Sequence, residues 1–285
     1  MSTEDPVSQN ASTMRIALLL VSVLGLAAAG AWWYLNRAPQ AAAPASAPAA
    51  EPATAPAAVA ATPQPPPEQH PLEPEAGGDP LPPLAQSDGA LADALKAMIG
   101  APAVQTWLVP EDVARRFVAT VDNLPRNVPL EKRRPLRAPP EAPLVDRTVV
   151  DAASGTERIT LSARNAARYD TAVALLANAD AKVLVDTYRR YYPLLQQAYQ
   201  DLGYPEGHFN DRVVAAIDDM LAAPESTGPV ILVQPKVLYQ YEDAALEGLS
   251  SGQKLLLRMG PAHARTVKAK LREVRALIAT APKQQ

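Results

Sequence analysis

Residues 16–35 (IALLLVSVLGLAAAGAWWYL) form an apolar run that no charge interrupts. A helix rises about 1.5 Å per residue, so a run of this length spans roughly 30 Å, the thickness of a bilayer core. Lipid offers the backbone no hydrogen-bond partners, and a helix supplies its own. Trp32, Trp33 and Tyr34 stand at one end, where amphipathic rings favour the headgroup level. The expectation is a transmembrane helix over 16–35 behind a short cytoplasmic tail, residues 1–15. A cleaved secretory signal is the rival reading, with Arg15, the apolar stretch 16–26 and Ala27-Ala28-Ala29 as its three parts. The run continues to Leu35, and Glu4 and Asp5 precede Arg15, which favours a retained signal-anchor.

An Ala/Pro tract follows at once. Residues 38–84 hold fourteen of the thirty prolines. Proline fixes φ and lacks an amide donor, so this stretch is expected to be a disordered linker with polyproline II bias. From Ala38 to Leu95 there is no Lys or Arg, while Glu51, Glu68, Glu73, Glu75, Asp79, Asp88 and Asp93 are all acidic. Translocated segments lack positive charge. The expected address is therefore the inner membrane, single-pass, with the C-terminal domain in the periplasm. The chain has no Cys, which excludes disulfides, thiolate metal sites and a lipid-modified N-terminal cysteine.

Residues 85–281 read as one globular, mainly helical domain with a minor β-hairpin. From Ala85 onward Lys and Arg outnumber Asp and Glu by two, although the whole chain carries −3. Helical periodicity predicts helices over 89–99, 111–124, 165–177, 181–202, 211–223, 252–259 and 262–280. Pro193 falls inside the longest of them, so a kink or break is expected near Tyr192. The final helix has the cleanest apolar stripe, Ala264, Val267, Leu271, Val274 and Ile278. Residues 145–150 and 157–161 flank Ala153-Ser154-Gly155 and predict the hairpin, and 229–233 and 236–241 predict short extended pieces.

No catalytic residue, metal site or cofactor is expected. Ser251-Gly252-Gln253-Lys254 has the S-x-x-K spacing of serine acyl-transfer enzymes, but the S-D-N and K-T-G partners are missing. Ser250 and Gln253 read instead as a helix capping box. The loop from Tyr204 to Arg212 is chemically the richest, with Tyr204 and His208 as candidate binding residues and Asn210 as the cap of the next helix. Asp218 and Asp219 read as solvated surface. Tyr188, Tyr191, Tyr192 and Tyr199 read as core tyrosines with hydroxyls at the rim, or as a platform for sugar rings. Arg126, Lys132, Arg133, Arg134 and Arg137 cluster in a proline-broken loop. Arg265, Lys268, Arg272 and Arg275 recur at helical spacing and form a candidate anion-binding stripe beside the apolar one. Reversing the charge of Lys268 and Arg272 is expected to leave the fold intact.

Three stretches carry a family resemblance together: 115–126 (RRFVATVDNLPR), the region from Tyr192-Pro193 to Pro224 with its YPEGHFNDR loop, and 234–261, from QPKVLY to SGQKLLLRMGP. They resemble an uncharacterised bacterial family, domain of unknown function three-zero-one-four, whose members have one N-terminal span. The resemblance covers the globular part and implies an envelope protein. It brings no activity, substrate or catalytic residue with it. The expected role is a membrane-anchored periplasmic binding or scaffold module whose partner is an envelope protein or an anionic wall polymer, with no nucleic acid expected. A wall- or glycan-acting enzyme using the 204–212 loop, and a cytoplasmic-facing binder of nucleic acid or lipid, are the alternatives.

Overall fold

The computed structural model describes residues 70, 72, 79–130, 134–137, 143–151, 153 and 155–279. The expected membrane helix at 16–35 and most of the expected linker lie outside the described residues. Among the described residues no helix is long and apolar enough to cross a membrane.

The fold is mainly helical with one small antiparallel sheet. In chain order it comprises α1 (Asp88–Ile99), α2 (Ala101–Trp107), α3 (Val113–Asn123), β1 (Val145–Asp151), β2 (Thr156–Leu161), α4 (Asp170–Ala177), α5 (Ala181–Asp201), α6 (Phe209–Leu221), β3 (Ile231–Val233), β4 (Gln240–Tyr241), α7 (Ala244–Glu247), α8 (Ser251–Met259) and α9 (Pro261–Ile278). Helix α2 has no counterpart in the periodicity. It follows Gly100, whose φ of 86° ends α1, and Pro102 falls in its first turn.

Helix α3 begins two residues later than the sequence predicts. Asp112 is left-handed, with φ 54°, and its side chain does not cap the helix. The cap comes from a distance. The Asp88 carboxylate, at the start of α1, accepts from the amides of Asp112 (2.9 Å) and Val113 (2.8 Å). One carboxylate thus sits at the positive ends of two helices and holds α1 to α3. The predicted helix 165–177 is split into a 3₁₀ segment, Ala163–Tyr169, and α4. The expected break at Tyr192 does not occur, and α5 runs through Pro193 as one helix. Pro193 lies on the exposed face, where water can serve a carbonyl deprived of its amide.

The main core is built around α9. Val267, Leu271, Val274 and Ile278 are buried as their spacing predicts, and α9 packs on α4, α5, α6 and α8. Gly260 (φ 81°) and Pro261 turn the chain from α8 into α9 at the predicted break. Contacts with this core reach back to His70, inside the stretch read as linker. The His70 amide donates to Asp211 Oδ1 (2.6 Å), and its carbonyl accepts from Asn210 Nδ2 (2.8 Å). Leu72 and Leu81 pack on the same core, so part of the predicted linker belongs to the domain surface.

The sheet has the order β1-β2-β3-β4, antiparallel throughout. The predicted hairpin pairs Val145 with Leu161 through to Asp151 with Thr156, with a bulge between Val149 and Asp151. Ile159 pairs with Leu232, and Leu232 with Tyr241. A separate apolar cluster, Val230, Leu232, Tyr241 and Leu257, joins the sheet to α8. Buried Asn165 strengthens the joint, accepting from the Leu144 amide (3.0 Å) and donating to the Arg258 carbonyl (2.8 Å).

Candidate functional site

The stretches that carry the family resemblance meet at the junction of α3, α6 and α8. Asp122, near the end of α3, is almost fully buried. Its carboxylate accepts from Arg126 Nη2 (2.9 Å), lies 3.0 Å from Arg212 Nε and accepts from the Tyr204 hydroxyl (3.4 Å). Arg126 Nη2 also donates to the Tyr204 hydroxyl (2.7 Å). A buried carboxylate needs such partners, because an unpaired one is strongly disfavoured in a low dielectric. The amides of Ser251 and Gly252 donate to the carbonyls of Arg126 (2.8 Å) and Leu124 (3.0 Å). The positive end of α8 is thereby seated on the negative end of α3. Gly252 allows the approach: a Cβ there would meet Met220 Cγ at 2.8 Å.

The S-x-x-K residues are occupied in this joint. Ser251 Oγ donates to the Val128 carbonyl (2.6 Å). Lys254 Nζ donates to Glu247 Oε1 (3.0 Å) and Asn127 Oδ1 (3.1 Å), and it stands over the Tyr241 ring. Ser250 caps α8 as predicted, accepting from the Gln253 amide (3.1 Å). The reciprocal arm of the capping box is diverted. The Gln253 side chain donates to the Asp219 carbonyl oxygen (2.9 Å), and Ser250 Oγ donates to Asp219 Oδ2 (2.5 Å). Asp219 is therefore part of the α6–α8 joint rather than solvated surface. Burial pushes its carboxyl above the ordinary Asp value, and the Ser250 bond pulls it partly back.

In the 204–212 loop, Tyr204 stacks on Tyr199, with ring centroids 4.6 Å apart. His208 is exposed at the start of α6, and its side chain caps nothing. Among the described residues no group of three or more His, Cys, Asp or Glu is arranged to hold a metal. Asn210 is not the cap. It is fully buried and donates to the carbonyls of His70 (2.8 Å) and Ile278 (3.0 Å). Gln196 organises this loop and gave no sequence signal. Its amide donates to the Gly207 carbonyl (2.7 Å) and its oxygen accepts from the Phe209 amide (2.8 Å). The tyrosines of α5 take the core reading. Tyr192 and Tyr199 are buried, and burial holds the Tyr188 hydroxyl well above its ordinary pKa as it donates to Asn210 Oδ1 (3.2 Å).

The basic residues of α9 divide by role. Lys268 is buried and donates to the Ala223 carbonyl, and Lys270 reaches the Ala179 carbonyl (2.7 Å). Both meet the negative ends of other helices, α6 and α4. Arg275 forks onto Asp218, with Nη2 2.9 Å from Oδ2, and Arg265 Nη1 is 3.6 Å from Glu225 Oε2. Arg272 is exposed. Reversal of Lys268 would bury a carboxylate against a carbonyl, so the expectation that the fold tolerates it is corrected. In the proline-broken loop Arg137 donates to the Gln105 carbonyl (3.0 Å) and Arg134 is buried, whereas Lys132 and Arg133 lie outside the described residues.

An apolar cavity of about 90 Å³ lies between α1, α3, α5, α6 and α9, walled by side chains such as Leu91, Leu95, Phe117, Leu184, Ile217 and Val274.

A family model described as a protein of unknown function, DUF3014, matches residues 113–275. The chain belongs to this family. The matched stretch holds the junction and most of the core, while α1 and α2 precede it. No curated protein and no solved structure matches the chain.

Proposed function

We propose that the protein is a non-enzymatic binding or scaffold module of the cell envelope, tethered to the inner membrane by residues 16–35 with its helical domain on the periplasmic side. The observation that carries this reading is how the family stretches are used. Asp122, Arg126, Tyr204, Arg212, Ser250, Ser251 and Lys254 are bonded to one another or to backbone, which makes a rigid joint. A domain whose richest polar chemistry locks helices together is suited to presenting a surface. The sidedness rests on the sequence, through the apolar run and the cation-free stretch behind it. The partner in this reading is an envelope protein or an anionic wall polymer, with Arg265, Arg272 and His208 as the accessible contact residues.

The test uses the full chain in a Gram-negative host. Membrane fractionation is combined with protease added to spheroplasts. The expected result is that the chain sediments with membranes and that external protease removes its C-terminal domain. A chain recovered in the soluble fraction contradicts the anchor, and a domain protected in intact spheroplasts but cut after lysis contradicts the sidedness.

A further inference from the structure

Close-packed interiors leave few voids larger than a water molecule. The cavity beneath α1, at about 90 Å³, is well above that size. An apolar cavity of roughly 150 Å³ holds a benzene molecule, so this one has room for the end of a hydrocarbon chain. The polar groups that line it are committed elsewhere. Thr187 Oγ1 donates to the Val183 carbonyl (3.0 Å), the Tyr188 hydroxyl to Asn210, and the Tyr191 hydroxyl to the Ala90 carbonyl (3.4 Å). A polar ligand, or water, would lose hydrogen bonds there and gain none.

The position of the opening is also fixed by the lining. The residues from α3, α6 and α9 are buried, whereas Ala94 of α1 and Thr187, Tyr188 and Tyr191 of α5 are partly accessible. The mouth therefore lies on the seam between α1 and α5. Among the described residues, Asp88 at the α3 terminus and the Tyr191 bond are polar ties that hold α1 over that seam. It stands next to Gly100 and lies outside the family-matched stretch, while α3, α5 and α6 lie within it.

We propose that this cavity binds the end of a linear aliphatic chain, which enters along the α1–α5 seam and leaves its polar head outside. The driving force is transfer of the chain's apolar surface out of water, together with contacts that the cavity walls lack when empty. The site does not depend on which side of a membrane the domain occupies.

The experiment is photolabelling of the full chain in two arms. One uses a palmitic-acid analogue with a diazirine near the chain end, and the other a phosphatidylcholine carrying the same diazirine in one acyl chain. Labelled residues are mapped by mass spectrometry. Label is expected on peptides covering α1, α3 and α5 and is expected to fall at least tenfold under excess unlabelled palmitate. Ala94→Trp and Thr187→Trp, which fill the mouth from opposite helices, are each expected to cause a similar loss with the circular dichroism spectrum unchanged. The arm that labels tells a free chain from a membrane-borne one. A wild-type chain without competable label on those peptides overturns the proposal, as does undiminished label in a folded variant of either kind. Both readouts are independent of the fractionation result, so failure of the anchor and failure of the cavity site are distinguishable.

Discussion

The helical bundle and the β1–β2 hairpin use the same chain in opposite ways. In the bundle, Val118, Leu176, Ile217 and Leu271 are fully buried, and even two lysines are drawn in to meet helix ends. In the hairpin, six of the seven β1 residues are exposed, and Val149 is 57% accessible. Cohesion there comes from backbone pairing, an Arg147–Glu157 bridge at 3.1 Å, an Arg147 bond to the Tyr239 hydroxyl at 3.1 Å, and the small apolar cluster against which Val145, Ile159 and Leu161 pack. Surface ion pairs of this kind contribute little. Core and surface are thus separated in this fold. Most of the buried core lies in the bundle, whereas β1 is mostly surface.

Substitutions in the two regions should differ widely in effect. The largest effect is expected for Leu271→Asp, which places an unpaired charge at a fully buried position of α9. A loss of about 4 kcal/mol or more is expected in urea denaturation, and an unchanged midpoint would mean that α9 is not central. Asp122→Ala leaves Arg212 and Arg126 without their shared carboxylate, and about 3 kcal/mol should be lost. A loss below about 0.5 kcal/mol would show the junction to be decorative. Gly252→Ala forces a methyl against Met220, and about 2 kcal/mol is expected.

A smaller effect is pH-dependent. The Asp219 carboxyl is raised in the folded state, so the native state holds its proton more tightly than the unfolded one. This contribution is fully present below the ordinary Asp value and is lost as pH rises through the raised one. Asp219→Asn should remove it, so the stability difference between wild type and variant should shift across mildly acidic pH and level off above. A difference flat over that window would place Asp219 in water. The smallest effect is expected for Val149→Asp, within about 0.5 kcal/mol of wild type by the same denaturation measurement. A loss comparable to Leu271→Asp would erase the contrast between the two regions.

Much of the bundle is legible in the sequence because burial follows period. The α9 stripe, the Gly260-Pro261 turn, the hairpin and the Ser250 cap are each encoded within a few residues. The candidate site is far less legible. Lys268 and Arg272 share the basic spacing of one helix, yet Lys268 is buried against α6 and Arg272 is exposed. Periodicity gives a residue's direction from its own axis and says nothing of what stands opposite. The same holds for Asp88, whose carboxylate caps a helix more than twenty residues away, and for Asn210, a good cap by type that is buried as a tie between His70 and Ile278. The cavity needs five helices at once and leaves no local mark.

The family stretches build a rigid helical joint through hydrogen bonds. Amide hydrogen exchange at Ser251 and Gly252, whose N–H groups bond the Arg126 and Leu124 carbonyls, tests it most directly. These two amides should exchange only through global unfolding, as slowly as those in the centre of α9, while β1 amides exchange orders of magnitude faster. Exchange of Ser251 and Gly252 at the hairpin's rate would contradict a locked junction and return those residues to the pool of candidate reactive groups.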